Sequence, residues 1–156
     1  MAYNHTYGLP VLITRGCSNY GPYQSPKKFV PQMITKALAD ETLSLDNGGL
    51  NTRNWVHVRD HCRALDLVLH RGNNGEVYNI GGDNEWTDLA LAGIILEQLE
   101  KPRSLITFNK ERLGVRHRRL VSTRKIESEL GWQPEIPFEV GIAETARWFQ
   151  THRQWW

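Results

Sequence analysis

Apolar positions along the 156 residues fall into short runs that alternate with longer, helically spaced stretches. The run Leu-Pro-Val-Leu-Ile-Thr at residues 9–14 is brief and apolar, the pattern of a buried and parallel strand. A loop rich in Gly, Pro, Ser and Asn is predicted over 15–26. Residues 27–40 then place Phe29, Met33, Ile34 and Leu38 near helical spacing, with Pro31 tolerable only in the first turn. Thr42 to Leu45 predicts a short strand, and Asn47 to Gly49 a turn. The alternation over 54–58 predicts another strand.

Asp60 is placed to cap a helix whose stripe is Ala64, Leu65, Val68 and Leu69, ending at Gly72. A β-rich segment over 76–82 stops on two glycines. Thr87 is set to cap a helix with Leu89, Leu91, Ile94, Ile95 and Leu99 apolar. Leu105 to Phe108 predicts a strand, 122–132 a short helix stopped by Gly131, and 137–156 a last helix. Strands alternating with helices imply the α/β class.

With 40% hydrophobic and 23% charged residues, the chain has the material for one domain and its core. No apolar run nears the roughly 20 residues that span a bilayer. The start, Met1 to His5, lacks a basic segment and an apolar signal core. Cys17 and Cys62 form no disulfide framework, so a reducing, cytoplasmic location is expected. The net charge of +2 conceals a cluster. Seven basic residues lie between Lys110 and Lys125 against one acid, Glu111. Such a cluster suits a phosphate-bearing partner or a solvated face. It lacks the interleaved aromatics that stack bases, which counts against a nucleic acid.

Candidate chemistry is sparse. The thirteen glycines never form the tight phosphate-cradling turn of GxGxxG or GxxxxGK[ST], so no dinucleotide cradle is written here. His57 and His61 have a zinc-compatible spacing, but His57 lies in strand-like sequence and no third ligand is near, so no metal is expected. Cys17 reads as a small buried hydrophobe before it reads as a nucleophile. Tyr23 and Lys27 have the i, i+4 spacing of a dehydrogenase pair. Pro26 between them, and Gly21-Pro22 before them, argue against the helix such a pair requires. No catalytic residue is assigned.

Three segments read together change the picture. Residues 7–34 (YGLPVLITRGCSNYGPYQSPKKFVPQMI), 53–82 (RNWVHVRDHCRALDLVLHRGNNGEVYNIGG) and 123–149 (TRKIESELGWQPEIPFEVGIAETARWF) occur in order and resemble the C-terminal half of a dTDP-glucose 4,6-dehydratase. That family consists of NAD-dependent extended short-chain dehydrogenase/reductase lyases. The resemblance implies a C-terminal remnant of a Rossmann-type parallel sheet plus the small α/β sugar-nucleotide-binding domain. It implies one truncated unit over 1–156. Rossmann elements at about 8–25 and 52–82 would interleave with substrate-binding segments at about 26–51 and 83–156. The family's glycine-rich NAD loop and Tyr-x-x-x-Lys helix lie upstream of the matched segment, so NAD is the cofactor of the complete enzyme and none is expected to be held here.

Carried over position by position, the resemblance assigns Asn19 to a loop holding the diphosphate. It sets Lys28 and Phe29 at the start of a helix over the nucleotide. Arg53 and Asn79 fall to the phosphates, and Arg112 to the ribose and phosphates. Cys17 and Asn19 fall near the nicotinamide end. The chain departs from the family at Ser44-Leu45-Asp46, where Pro-x-Tyr is usual. It departs again at Arg53-Asn54-Trp55, His57-Val58, Val115-Arg116 and Arg119, which leaves the base specificity open. The implied partner is a dTDP-sugar or related sugar nucleotide, with a second copy or a separate N-terminal half to cover the open sheet. The alternatives are a non-catalytic sugar-nucleotide or partner-binding module, and a fragment of a related epimerase or decarboxylase.

Overall fold

The computed structural model describes residues 2–109 and 118–156. From α1 (Ala2–Tyr7) the chain runs through β1 (Ile13–Gly16), β2 (Ser18–Tyr20), α2 (Phe29–Leu38), β3 (Leu43–Leu45), β4 (Thr52–Arg53), β5 (Trp55–His57) and α3 (Val58–Arg71). It continues through β6 (Val77–Ile80), β7 (Trp86–Thr87), α4 (Asp88–Gln98), β8 (Ile106–Phe108), β9 (Arg118–Arg119), α5 (Arg124–Leu130) and α6 (Phe138–Thr151). β1 pairs in parallel with β6, β2 with β5, and β3 with β8. β4 is parallel to β9 and antiparallel to β7. Parallel partners far apart in sequence with helices between them make the α/β class that the alternation predicts.

Several local expectations hold for stated physical reasons. Ala90 N–H donates to the Thr87 hydroxyl at 3.1 Å, so Thr87 caps α4. Gly131 closes α5 at φ +70, a conformation that favours glycine. Pro31 lies in the first turn of α2, where no intrahelical donor is lost.

Others are corrected. The apolar run 9–14 is not itself the strand: the β1 ladder begins at Ile13 and extends through Arg15 to Gly16, set by its partner Val77–Ile80. Nor is the run buried: Leu9 is exposed and residues 11–14 are only partly covered, so apolar composition predicted neither the burial nor the register, which follows the partner's backbone. The polar stretch after it is not all loop, because Ser18, Asn19 and Tyr20 form β2 against Trp55, Val56 and His57. Asn19 therefore sits on a strand, not in a loop. Asp60 is not a cap either. α3 begins at Val58, and the His57 imidazole accepts the Arg59 N–H at 3.3 Å.

Among the described residues, two apolar clusters fill the interior. One joins Tyr20 and Trp55 to α2, β3, α4 and α6 through Met33, Ile34, Leu43, Ile95 and Phe149. The other packs Val56, Ala64, Val68, Tyr78 and Ile80 against Ile126, Leu130 and Trp132. The first cluster lies beneath the cavity described next. Among the described residues, no helix is long and apolar enough to cross a membrane.

Candidate functional site

A cavity of about 370 Å³ opens between the first turn of α2, the end of β3, β4 and the start of α4. Phe29, Gln32 and Lys36 face it from α2, Ser44 from β3, Asp46 from the turn after it, and Arg53 and Asp88 from the far side. Local sequence explains the geometry. Asn47, Gly48 and Gly49 take φ values of +52, +62 and +74, so the chain reverses after β3 and returns as β4 beside α4. At Gly49 a Cβ would lie 2.8 Å from the Leu89 Cβ, so a glycine lets this turn press against α4.

Phe29 and Arg53, both lining the cavity, join the buried Trp55 in an aromatic and cationic group. The Phe29 and Trp55 rings stack with centroids 6.1 Å apart, and the Arg53 guanidinium carbon is 4.9 Å from the Phe29 centroid and 5.8 Å from that of Trp55. Arg53 Nη2 donates to Asp88 Oδ2 at 3.2 Å. Asn51 Nδ2 donates to the same oxygen at 3.2 Å, and Asn47 Nδ2 to Asn51 Oδ1 at 3.1 Å. Burial pushes the Asp88 carboxyl above its ordinary value, with Arg53 and Asn51 pulling the other way. At the opposite wall Ser44 Oγ and Thr107 Oγ1 are 3.1 Å apart, and Asn109 Nδ2 donates to Asp46 Oδ1 at 2.8 Å.

The start of α2 is electrostatically unusual. Lys28 occupies the cap position with no side-chain hydrogen bond to the helix, and no acid stands in the first turn. Two lysines therefore precede the positive end of a helix dipole, where an anion is the favoured neighbour.

The predicted residues divide into two sets. Phe29 and Arg53 meet at the cavity, and Lys28 adjoins them at the helix start. Asn19, Asn79 and Cys17 do not line it. Asn79 lies on β6 and donates to the Ser122 carbonyl at 3.2 Å. Asn19 Oδ1 is buried with no hydrogen-bond partner among the described residues. Cys17 follows β1, and burial pushes its thiol up to about 11, so it stays protonated at neutral pH. Arg112, with Val115 and Arg116, lies outside the described residues.

Tyr23 and Lys27 both precede α2, off any helix. The Tyr23 ring instead packs on Trp148 and Trp155, with centroids 4.7 and 5.7 Å away. His57 and His61 are both held below the ordinary imidazole value by burial. Sequence reasoning missed Asp88 and Asn51. An acid just after a helix cap reads as a dipole partner in water, and Asn51 reads as the end of a turn.

Residues 1–145 match the model of the family described as GDP-mannose 4,6 dehydratase. The dTDP-glucose 4,6-dehydratase of an Actinoplanes species is 44% identical over the whole chain. A solved dTDP-glucose 4,6-dehydratase of Bacillus anthracis in complex with NAD is 44% identical, with a TM-score of 0.94 over 99% of this chain. That of Streptomyces venezuelae, also with NAD bound, is 46% identical with a TM-score of 0.95 over 99%. The chain spans about half the length of the curated relatives it matches, 49% of the Actinoplanes enzyme and 49% and 48% of the two solved chains.

Proposed function

The chain belongs to the GDP-mannose 4,6 dehydratase family of extended short-chain dehydrogenases/reductases, and from that premise we propose that it is the substrate-binding part of a dTDP-glucose 4,6-dehydratase-like sugar-nucleotide lyase. Its task is to anchor the nucleotide diphosphate at the cavity between α2, β4 and α4. One observation carries this reading: the uncapped, lysine-flanked start of α2 stands beside Arg53, whose guanidinium is braced by Phe29. A diphosphate supplies the negative charge that this helix end and guanidinium favour, through charge-assisted hydrogen bonds. Binding energy gathered there orients the sugar, the contribution of a remote anchor to catalysis.

The rest of the reading follows from the same premise. Asn79 and Arg112 are proposed as further phosphate contacts. Elements at about 8–25 and 52–82 are proposed as the Rossmann portion, and those at about 26–51 and 83–156 as the substrate portion. NAD, when bound in the complete enzyme, supplies reversible hydride storage. Of the residues present, Cys17 and Asn19 are the ones proposed to lie toward its nicotinamide end. The 156 residues hold no glycine-rich pyrophosphate cradle and no helical Tyr–Lys pair, so the proposal assigns them binding and not turnover. A cytoplasmic location and a covering partner, either a second copy or a separate catalytic half, belong to the same proposal.

Calorimetric titration with dTDP and with UDP tests the anchor. At least one is expected to bind, with affinity falling about tenfold or more in Arg53→Ala, the scale of one lost charged hydrogen bond. Absence of heat with both nucleotides would overturn it.

A further inference from the structure

Asp88 stands at the first position of α4, where a carboxylate ordinarily lies in water and complements the helix dipole. Here its side chain is only 3% exposed. Oδ2 takes hydrogen bonds from Arg53 and Asn51, while Oδ1 is buried with no partner among the described residues. The Asp88 N–H also donates to the Asn51 carbonyl at 2.9 Å, tying the helix start to the turn that delivers β4. A buried carboxylate satisfied at one oxygen is a weak stabilising device, so its consequence has to be sought in what it orients. That is the Arg53 guanidinium, which among the described residues is otherwise held against ring faces, those of Phe29 and Trp55.

We infer that Asp88 is a positioning residue for Arg53: by engaging Nη2 it fixes the guanidinium plane against Phe29, so that the remaining N–H donors are presented to the diphosphate of a sugar nucleotide. The inference rests on the cavity being a nucleotide-diphosphate site. Arg carries five donors in a planar fork, and the Asp88 contact occupies one nitrogen. Fixing the fork in advance removes ordering that the ligand would otherwise have to impose. The same carboxylate repels an incoming anion. Positioning and repulsion therefore have opposite signs, and the isosteric, uncharged variant separates them.

Asp88→Asn, Arg53→Ala and the double variant are titrated with dTDP and UDP by calorimetry, with folding checked by thermal unfolding. In parallel, the Arg53 side-chain Nε–Hε resonance is followed by NMR at low temperature. Asp88→Asn is expected to weaken binding about fivefold to tenfold when Arg53 is present and not to weaken it when Arg53 is alanine, where only the repulsion is relieved. The Arg53 resonance is expected to be sharp in the parent and to broaden in Asp88→Asn. Tighter binding with Arg53 present, equal weakening in both backgrounds, or an unchanged Arg53 resonance would each overturn the inference. If the parent chain binds neither nucleotide, the site reading fails on its own. The resonance then still decides for or against positioning. Should Asp88→Asn not fold, Asp88→Glu, which displaces the carboxylate along the same direction, carries the same expectations.

Discussion

The buried Asp60 carboxylate on α3 accepts the Ile136 backbone N–H at 2.9 Å, across 76 positions of chain. The same oxygen accepts the Glu135 N–H at 3.1 Å, and the other receives Arg63 Nη1 at 2.7 Å. The contact pins the segment before α6 to the first turn of α3. Two backbone donors thus find their partner in one side chain, and truncation would strand both. Asp60→Ala is expected to cost about 2–4 kcal/mol, read as a lower urea midpoint at unchanged slope. A loss below about 1 kcal/mol would show that water replaces the carboxylate.

The two cysteines are expected to differ in reactivity. Cys62 is exposed on α3, whereas Cys17 is partly buried and its thiol is pushed up to about 11 by desolvation. Because the thiolate is the nucleophile, Cys17 presents very little of it at pH 8. Iodoacetamide on the folded chain should label Cys62 first, with Cys17 protected until denaturant is added. Mass spectrometry of the labelled peptides reads the order directly, and prior labelling of Cys17 would contradict the burial argument.

Two glycines separate steric from conformational cost. A Cβ on Gly82 would lie 1.9 Å from the Trp55 carbonyl oxygen and 2.5 Å from Asn84 Nδ2. Neither neighbour is free to yield, because Asn84 clasps Trp55 by two hydrogen bonds, at 3.0 and 2.9 Å. Gly131 has open space around it and a φ of +70. Gly82→Ala is therefore expected to cost more than about 3 kcal/mol, through overpacking against backbone. Gly131→Ala should cost only about 1 kcal/mol, the left-handed penalty of a Cβ. Denaturant curves of the two variants provide the comparison, and equal losses would refute it.

What was legible in the sequence follows the range of each interaction. Thr87 and Gly131 could be recognised because capping and left-handed termination are settled within a few residues. The strand at Trp55–His57 declared itself by alternation. Asp60 misled because a carboxylate near a helix start looks like a cap, and its true partners lie 75 and 76 positions away. Of the site, Phe29 and Arg53 were reached through the family resemblance. The bond from Arg53 to Asp88 joins residues 35 apart, and no local pattern announces it. Asn19 is hard to place from sequence because a three-residue strand with one apolar side chain, Tyr20, has no readable period and is set by pairing with Val56 across the ladder.

Asp88 also makes stability depend on pH with a definite sign. Its carboxyl is raised by burial, a shift only partly offset by Arg53 and Asn51. A carboxyl raised in the folded state holds its proton more tightly there than in the unfolded chain, whose value is about 3.9. Stability from this group therefore increases as pH falls through the raised folded value, and levels off below the unfolded one. At neutral pH the ionised carboxylate is a net cost to folding. Asp88→Asn is accordingly expected to unfold at a higher temperature than the parent at pH 7, with the difference shrinking as pH is lowered toward about 4. Calorimetric melting of both chains across that window checks the sign, since groups common to both cancel in the difference. A parent more stable than the variant at pH 7 would mean that the Arg53 ion pair outweighs the desolvation of Asp88. A more stable Asp88→Asn chain that binds nucleotide less well would instead identify Asp88 as a group whose charge serves the site at the expense of the fold.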